Sequence, residues 1–207
     1  MSTPAHSGPN LTQCGLPGLS TIPYGIHMCH FYEKRTDLAD ALVPYFAAGL
    51  RNNERCIWIT ADPLDAAAAG SALRDAGVDV DAATRKGSLV IREHSGWYSD
   101  SAGMKGAEVV DLWLEEERRA LERGYSGLRI TGNTSFLTPE AWDPFMEYEA
   151  LLNQALAARR IVTLCSYYRK QCAATEVAEV VQRHNVTLER PDAGWRVFSS
   201  ERKQKRG

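Results

Sequence analysis

The sequence predicts an α/β fold, a three-layer sandwich in which helices cover both faces of a mostly parallel central sheet. Two observations support this fold class. From residue 25 onward, short apolar runs rich in β-branched residues alternate with longer segments of helical periodicity, and strands that alternate with helices pair in parallel. The chain has 207 residues, of which 44% are hydrophobic, so it is large enough to bury a core without disulfide bonds.

The order of elements follows from the apolar runs and from the residues that begin or end helices. Gly77 ends the second predicted helix, and Thr138 with Pro139 suits the start of the fourth. The third helix is amphipathic, with Val109 and Trp113 on its apolar side. The predicted strands are 25–32, 56–60, 88–92, 128–131, 161–167 and 194–198, and the predicted helices are 36–50, 63–75, 105–123, 139–158 and 173–184.

The two ends of the chain differ in composition from its centre. Residues 1–23 contain four prolines together with several glycine, serine and threonine residues, a composition typical of a flexible leader. Residues 199–207 form a short basic tail of the kind that is usually solvated. We therefore expect one folded domain at 24–198.

Composition also narrows the class of protein. A net charge of −2 gives no general basic surface, so direct nucleic-acid binding is not expected. The five cysteines are an odd number without repeated spacing, which argues against a disulfide framework and favours a reducing cytoplasm. The sequence has no apolar run of 18 residues and no signal peptide, so we expect neither a membrane span nor secretion.

The turn after the first strand lacks the residues that bind triphosphates. A P-loop needs the pattern G-x-x-x-x-G-K-[ST], whose glycines let backbone amides approach the phosphates. Here the turn runs from Tyr32 to Asp37, with no glycine and two carboxylates. The fourth strand leads into Gly132 and Asn133, without an acidic residue to hold Mg²⁺. ATP is therefore not expected as a cofactor.

The first strand carries the strongest candidates for a functional site, because ligands of open α/β sheets bind beyond the carboxyl ends of the strands. Strand alternation places His27 and Cys29 on one face and His30 on the other. Three interpretations are open: these side chains fill the core, contact a ligand, or bind a metal ion. No C-x-x-C or H-x-x-x-H spacing supports the metal. Cys165, on the fifth strand, could converge with Cys29 in space, either as a redox or metal-binding pair or as two ordinary free cysteines of buried strands. The metal candidates are therefore His27, Cys29, His30 and Cys165.

Further candidates follow the other strands. His94 and Trp97 lie in a glycine-bounded loop at 94–103, where aromatic rings either suit a small apolar ligand or pack the loop onto the domain. Glu149 and Asn153, four residues apart on a helix, are interpreted as solvated surface. The remaining candidate ligand-binding residues lie on or just after the fourth and fifth strands: Arg129, Asn133 and Tyr167.

Several of these segments, taken in order, resemble the MEDS domain, the methanogen/methylotroph DcmR-type sensory domain. The likeness spans about residues 24–198. It implies a RecA/KaiC-like fold with a degenerate P-loop and a domain that senses simple hydrocarbon derivatives. The segments that carry it are HMCHFY at 27–32, GL at 49–50 with CIWIT at 56–60, RITGN at 129–133, YE at 148–149 with LN at 152–153, and LCSY at 164–167.

The resemblance also implies how such a domain signals. Family members are often fused to a DNA-binding or kinase domain, and 207 residues leave no room for one. We therefore expect a non-catalytic sensor that acts through a signalling or transcription partner protein, or by self-association into a homo-oligomer. The alternatives are a metal- or thiol-dependent enzyme or metal-binding sensor that uses the Cys/His cluster, a nucleotide binder without hydrolysis, and an interaction module without a ligand.

Overall fold

A mostly parallel β-sheet forms the middle layer of the protein. The computed structural model describes residues 10–16, 18–96, 106–190 and 195–199. The strands are β1 Leu11–Gln13, β2 Thr21–Pro23, β3 His27–Tyr32, β4 Arg55–Thr60, β5 Leu89–Glu93, β6 Leu128–Asn133, β7 Ile161–Tyr168, β8 Val186–Glu189 and β9 Arg196–Ser199. The α-helices are α1 Arg35–Arg51, α2 Ala66–Asp75, α3 Val80–Lys86, α4 Gly106–Glu122, α5 Trp142–Ala155 and α6 Ala174–Arg183.

The strand order confirms the predicted fold class. Within the described residues, seven strands form one sheet in the order β5-β4-β6-β7-β3-β8-β9. All neighbours pair in parallel except β8 and β9, which are antiparallel. The carboxyl ends of the parallel strands therefore share one edge of the sheet. Because β3 and β7 are neighbours, Cys29 lies opposite Cys165 in the register, on the same face of the sheet.

Helices cover both faces of the sheet. Met28 and Tyr32 of β3 belong to the apolar cluster that includes residues of α1, α2 and α3. Cys29 and Phe31 belong to the opposite cluster, with residues of α4, α5 and α6. This alternation agrees with the one predicted for the first strand, and it assigns His27 and His30 to different layers.

The first turn of α1 is organised by a carboxylate. Asp37 accepts hydrogen bonds from the backbone amides of Glu33 and Lys34, at 3.2 and 3.0 Å. These donors would otherwise have no helical partner, and a negative charge is favourable at a helix amino terminus. Leu38 and Leu42, one turn apart, then bury the inner side of the helix against the sheet.

Residues 11–16 and 18–23 form a packed hairpin, which differs from the predicted flexible leader. β1 and β2 pair antiparallel, and Cys14, Leu16 and Ile22 are buried in the cluster below α1. The hairpin is held by tertiary bonds to side chains far along the chain, which its proline- and glycine-rich composition does not indicate. Two other elements, α3 and β8, were also missing from the predicted order.

A buried ion pair joins the hairpin to the sheet. Arg129 Nε lies 2.5 Å from Glu54 Oε2, and both side chains have no exposed surface. The Arg129 guanidinium also donates to the carbonyl oxygens of Gln13 and Cys14, both at 2.8 Å. The hydroxyl of Thr12 donates to the other oxygen of Glu54 at 2.5 Å. Every strong donor and acceptor of the pair is therefore satisfied inside the protein.

The helices give no sign of a membrane-spanning segment. Among the residues that the structure describes, no helix is both long enough and apolar enough to cross a bilayer.

Candidate functional site

Four buried side chains with metal-ligating atoms converge on the α4–α6 face of the sheet. They are His27 of β3, Glu149 of α5, Cys165 of β7 and His184 just after α6. One nitrogen, oxygen or sulfur atom of each lies within 4.8 Å of the corresponding atom of the others. We call this group the His/Glu/Cys/His cluster. It draws on four separate segments of the chain, so only the folded domain assembles it.

Glu149 is the centre of the cluster. Its Oε2 lies 3.0 Å from His27 Nε2 and 3.6 Å from His184 Nε2. Its Oε1 accepts a hydrogen bond from the Tyr167 hydroxyl at 2.7 Å. Burial raises the pKa of Glu149, but the two histidines and the bond from Tyr167 outweigh burial and bring the pKa to about 2. The carboxylate is therefore ionised although it is completely buried.

His184 presents its ring nitrogen to this carboxylate. Its Nδ1 lies 2.7 Å from the carbonyl oxygen of Val180, one turn back in α6. A hydrogen bond there assigns the proton to Nδ1 and leaves Nε2 as the atom that faces Glu149. Burial, with the neighbouring His27 ring at 4.0 Å, lowers the pKa of His184 to about 3. The ring is therefore neutral at physiological pH.

Cys165 completes the cluster. Its Sγ lies 3.4 Å from His27 Nε2 and 3.8 Å from Glu149 Oε2. Burial and the Glu149 carboxylate raise the pKa of Cys165 well above its usual value, so without a positive partner the group remains a thiol.

A small cavity adjoins the cluster. Its polar lining includes Glu149, Cys165 and Thr163. Its room for the centre of a water-sized sphere is about 10 Å³, which is the space that about one water molecule needs. Thr163 Oγ1 is buried and has no hydrogen-bond partner among the described residues. The aromatic residues that line the cavity are Trp113, Phe136, Phe145 and Tyr148.

The structure brings some predicted site residues together. His27 and Cys165 belong to the cluster, and Tyr167 positions its carboxylate. Cys29 is on the same face, but its Sγ lies 3.3 Å from Thr187 Oγ1, and it does not belong to the four-ligand group. Asn133 lines the cavity.

Other predicted residues lie elsewhere. Arg129 is at the start of β6, away from the carboxyl edge, where it is bound to Glu54. His94 stacks on Phe136 with a ring separation of 4.2 Å and thus reaches the cavity wall from outside. Trp97 and most of the loop at 94–103 lie outside the described residues.

His30 is on the opposite face from the cluster. Its ring lies 5.4 Å from that of Trp195, and neither of its nitrogens has a hydrogen-bond partner among the described residues. Burial lowers the pKa of His30 from 6.5 to about 4.

The His30 pKa predicts a pH-dependent loss of stability. In the unfolded chain His30 binds a proton below about pH 6.5, whereas in the folded protein it binds one only near pH 4. The stability that is present above pH 6.5 is therefore lost as the pH falls toward 4. The loss from this residue is expected to approach about 1.4 kcal/mol per pH unit. The free energy of unfolding, measured in urea at pH 7, 6 and 5, should decrease less with falling pH in His30→Leu than in wild type. Parallel curves would contradict the prediction.

Two members of the cluster were not predicted from the sequence. Glu149, interpreted as solvated surface, is completely buried, and His184 was assigned no role. A signal for Glu149 existed: Phe145, Tyr148 and Leu152 recur at helical spacing, and Glu149 falls on that same apolar side. A carboxylate within the apolar side of a helix indicates a buried partner.

Solved structures of known proteins share the fold of this chain. The flagellar accessory protein FlaH from Methanocaldococcus jannaschii is 13% identical with a TM-score of 0.55, over 83% of this chain and 73% of that chain. A KaiC-like protein from Pyrococcus horikoshii OT3 is 11% identical with a TM-score of 0.61, over 94% of this chain and 90% of that chain. At such identities the likeness shows the fold alone.

The chain belongs to the MEDS family. The family model described as "MEthanogen/methylotroph, DcmR Sensory domain" matches residues 26–185. This match confirms the resemblance found in the sequence, and the matched range contains all four residues of the His/Glu/Cys/His cluster. No curated protein matches the chain. The family is one of sensory domains, which is consistent with a regulatory role.

Proposed function

We propose that this protein is a non-catalytic sensor that binds a simple hydrocarbon derivative in the cavity beside Glu149, Cys165 and Thr163. The observation that carries the proposal is the cavity itself, which is mainly apolar and is lined by aromatic rings together with a few polar side chains that include Glu149, Cys165 and Thr163. Binding sites for small organic molecules have this composition, with few polar groups that fix the orientation of an apolar ligand.

The size of the cavity limits the ligand. Space for about one water molecule suits one carbon atom with a single polar substituent, or two carbons after small side-chain movements. Since small ligands gain at most about 1.5 kcal/mol per heavy atom, a ligand of two or three atoms reaches about 3–4.5 kcal/mol. That corresponds to dissociation constants of about 0.5 mM or weaker.

The polar side of the cavity limits the chemistry of the ligand. The ionised Glu149 disfavours an anion, whereas the hydroxyl of Thr163 and the thiol of Cys165 are donors that suit a neutral acceptor atom. Short alcohols, halomethanes and methylated sulfur or nitrogen compounds have this combination of a small apolar part and one polar atom.

The output is proposed to pass through α4 and α5. Trp113 and Tyr148 of these helices line the cavity, and the Trp113 indole N–H donates to the Tyr148 hydroxyl at 3.0 Å. The outer sides of the same helices expose Leu112, Leu121 and Leu151. This surface suits contact with a signalling or transcription partner protein or with a second copy of the chain. A ligand shifts that contact only by its difference in affinity between two states of the domain.

Thr163 offers a matched pair of variants that tests the cavity. Thr163→Val keeps the shape but removes a buried hydroxyl without a described partner, and is expected to raise the free energy of unfolding by about 1 kcal/mol. Thr163→Ile adds a carbon that fills the cavity. Titration with methanol and chloromethane, followed by amide NMR shifts around Cys165, should saturate in wild type. Chloromethane should still bind Thr163→Val but not Thr163→Ile. Equal responses in both variants would refute cavity binding.

The absence of nucleotide chemistry is part of the proposal. The backbone amides before α1, which in a P-loop protein face phosphates, already donate to the Asp37 carboxylate. At the end of β6, Asn133 donates to the carbonyl oxygens of Ala61 and Asp62, at 3.3 and 3.1 Å. These contacts support a degenerate P-loop.

ATP or ADP with Mg²⁺ is therefore expected to leave the melting temperature unchanged. A ligand at about 100 times its dissociation constant would stabilise the folded protein by about 2.7 kcal/mol, which a thermal-shift assay detects readily. A nucleotide-dependent rise in melting temperature, or release of phosphate by the purified protein, would refute this part of the proposal.

A further inference from the structure

We infer that the His/Glu/Cys/His cluster binds one divalent transition-metal ion, with zinc as the ion that its donors suit best. The inference goes beyond the proposed function, and it rests on the arrangement of His27, Glu149, Cys165 and His184 alone.

The spacing of the four donors matches a four-coordinate centre. Metal–ligand bonds of zinc are about 2.0–2.3 Å, so the edges of a tetrahedron of donors are about 3.3–3.8 Å. The distances from Glu149 Oε2 to the nearest atoms of His27, His184 and Cys165 are 3.0, 3.6 and 3.8 Å. Cys165 Sγ lies 3.4 Å from His27 Nε2. The other two distances, from His184 to His27 and to Cys165, are at most 4.8 Å.

The chemistry of the donors selects the class of ion. Two imidazoles, a thiol and a carboxylate suit zinc and neighbouring first-row metals, whereas Ca²⁺ and Mg²⁺ take oxygen donors. On binding, the Cys165 thiol transfers its proton to the solvent and coordinates as a thiolate. The resulting positive centre also adds a charged partner to the buried Glu149 carboxylate, beside its contacts with His27, His184 and Tyr167.

Outer hydrogen bonds already orient two of the donors. The Tyr167 hydroxyl binds Glu149 Oε1 and leaves Oε2 directed at the histidines. The Val180 carbonyl oxygen binds His184 Nδ1 and leaves Nε2 on the cluster side. Such second contacts are typical of metal-binding histidines and carboxylates, because they fix the orientation of the ligating atom.

The position of the ion would couple it to the cavity. Glu149 and Cys165 belong both to the cluster and to the cavity wall. An ion held by these two side chains therefore changes the charge and the polarity that a small molecule meets in the cavity.

Metal content of the full chain tests the inference. Protein stripped with a chelator is loaded with Zn²⁺, freed of excess ion and analysed by mass spectrometry for metal per chain. One zinc per chain is expected, and loading with Co²⁺ is expected to give the absorption bands of a tetrahedral cobalt thiolate. If folded wild-type protein retains neither Zn²⁺ nor Co²⁺, the inference is overturned. No variant is needed for that conclusion.

Two cysteines provide a matched pair for locating the ion. Cys29 and Cys165 are both buried, lie opposite each other in neighbouring strands and face the same layer. Cys165→Ser is expected to weaken zinc binding by more than about 100-fold. Loss of a residue that only hydrogen-bonds to a metal ligand already lowers metal affinity by about 10–100-fold. His184→Gln should have a similar effect, whereas Cys29→Ser should retain the zinc. Equal zinc affinity in wild type, Cys165→Ser and His184→Gln would overturn the site.

The outcome separates the metal centre from the proposed function. If the protein does not bind zinc but binds a small molecule that Thr163→Ile excludes, only the metal centre is overturned. If the protein binds one zinc per chain but no small molecule in a saturable way, only the proposed sensing of such molecules is overturned. The metal centre is then supported.

Discussion

Replacing Arg129 with methionine is expected to lower the free energy of unfolding by about 3–5 kcal/mol, which is the cost of leaving one buried charge without its partner. Glu54 would lose its counter-ion at 2.5 Å, and the carbonyl oxygens of Gln13 and Cys14 would lose their donors. The β1–β2 hairpin should then detach first. Urea unfolding monitored by circular dichroism, with hydrogen exchange of residues 11–23, measures both effects.

Two controls separate the buried charge from general damage. The double variant Glu54→Leu, Arg129→Met removes both charges, so it should cost less than the sum of the two single variants. Arg118 pairs with Glu115 on the outside of α4 with its side chain 56% exposed, and Arg118→Ala should change stability by less than about 0.5 kcal/mol. If the double variant loses as much stability as the sum of the Glu54→Leu and Arg129→Met losses, the prediction from a buried ion pair is contradicted.

Replacing Glu149 with alanine in metal-free protein is expected to lower the free energy of unfolding by about 2–5 kcal/mol. The substitution removes the acceptor of the Tyr167 hydroxyl and the partner of His27, and it leaves a space in the layer between sheet and helices. The measurement is again the free energy of unfolding in urea.

Glu147 is the matched control for this prediction. It carries the same side chain two residues earlier in α5, but on the exposed side of the helix. Glu147→Ala should alter stability by no more than about 0.5 kcal/mol. Similar costs for both substitutions would show that the Glu149 carboxylate makes no net contribution through its buried partners.

The sequence was sufficient for the fold and for half of the cluster. The alternation of strands and helices predicts the parallel sheet, and the two-residue period of β3 assigns His27 and Cys29 to the face that Cys165 shares. These predictions depend only on local patterns and on the rule that parallel strands are joined by helices.

The rest depends on contacts between distant segments. Whether Glu149 faces water or the core is decided by where α5 packs on the sheet, and His184 enters the site only because α6 ends beside β3. Arg129 was expected near the carboxyl edge, and its partner Glu54 lies 75 residues away in the sequence. The hairpin at 11–23 is likewise held by side chains outside it, which composition cannot reveal.

The scattered origin of the cluster has a consequence for biosynthesis. His27 and Cys165 are 138 residues apart in the sequence, and contacts between such distant segments form late because long loops must close first. A chain that is still on the ribosome has β3 long before it has His184. The complete set of donors therefore exists only in finished domains, and an ion bound there would distinguish mature protein from nascent chains.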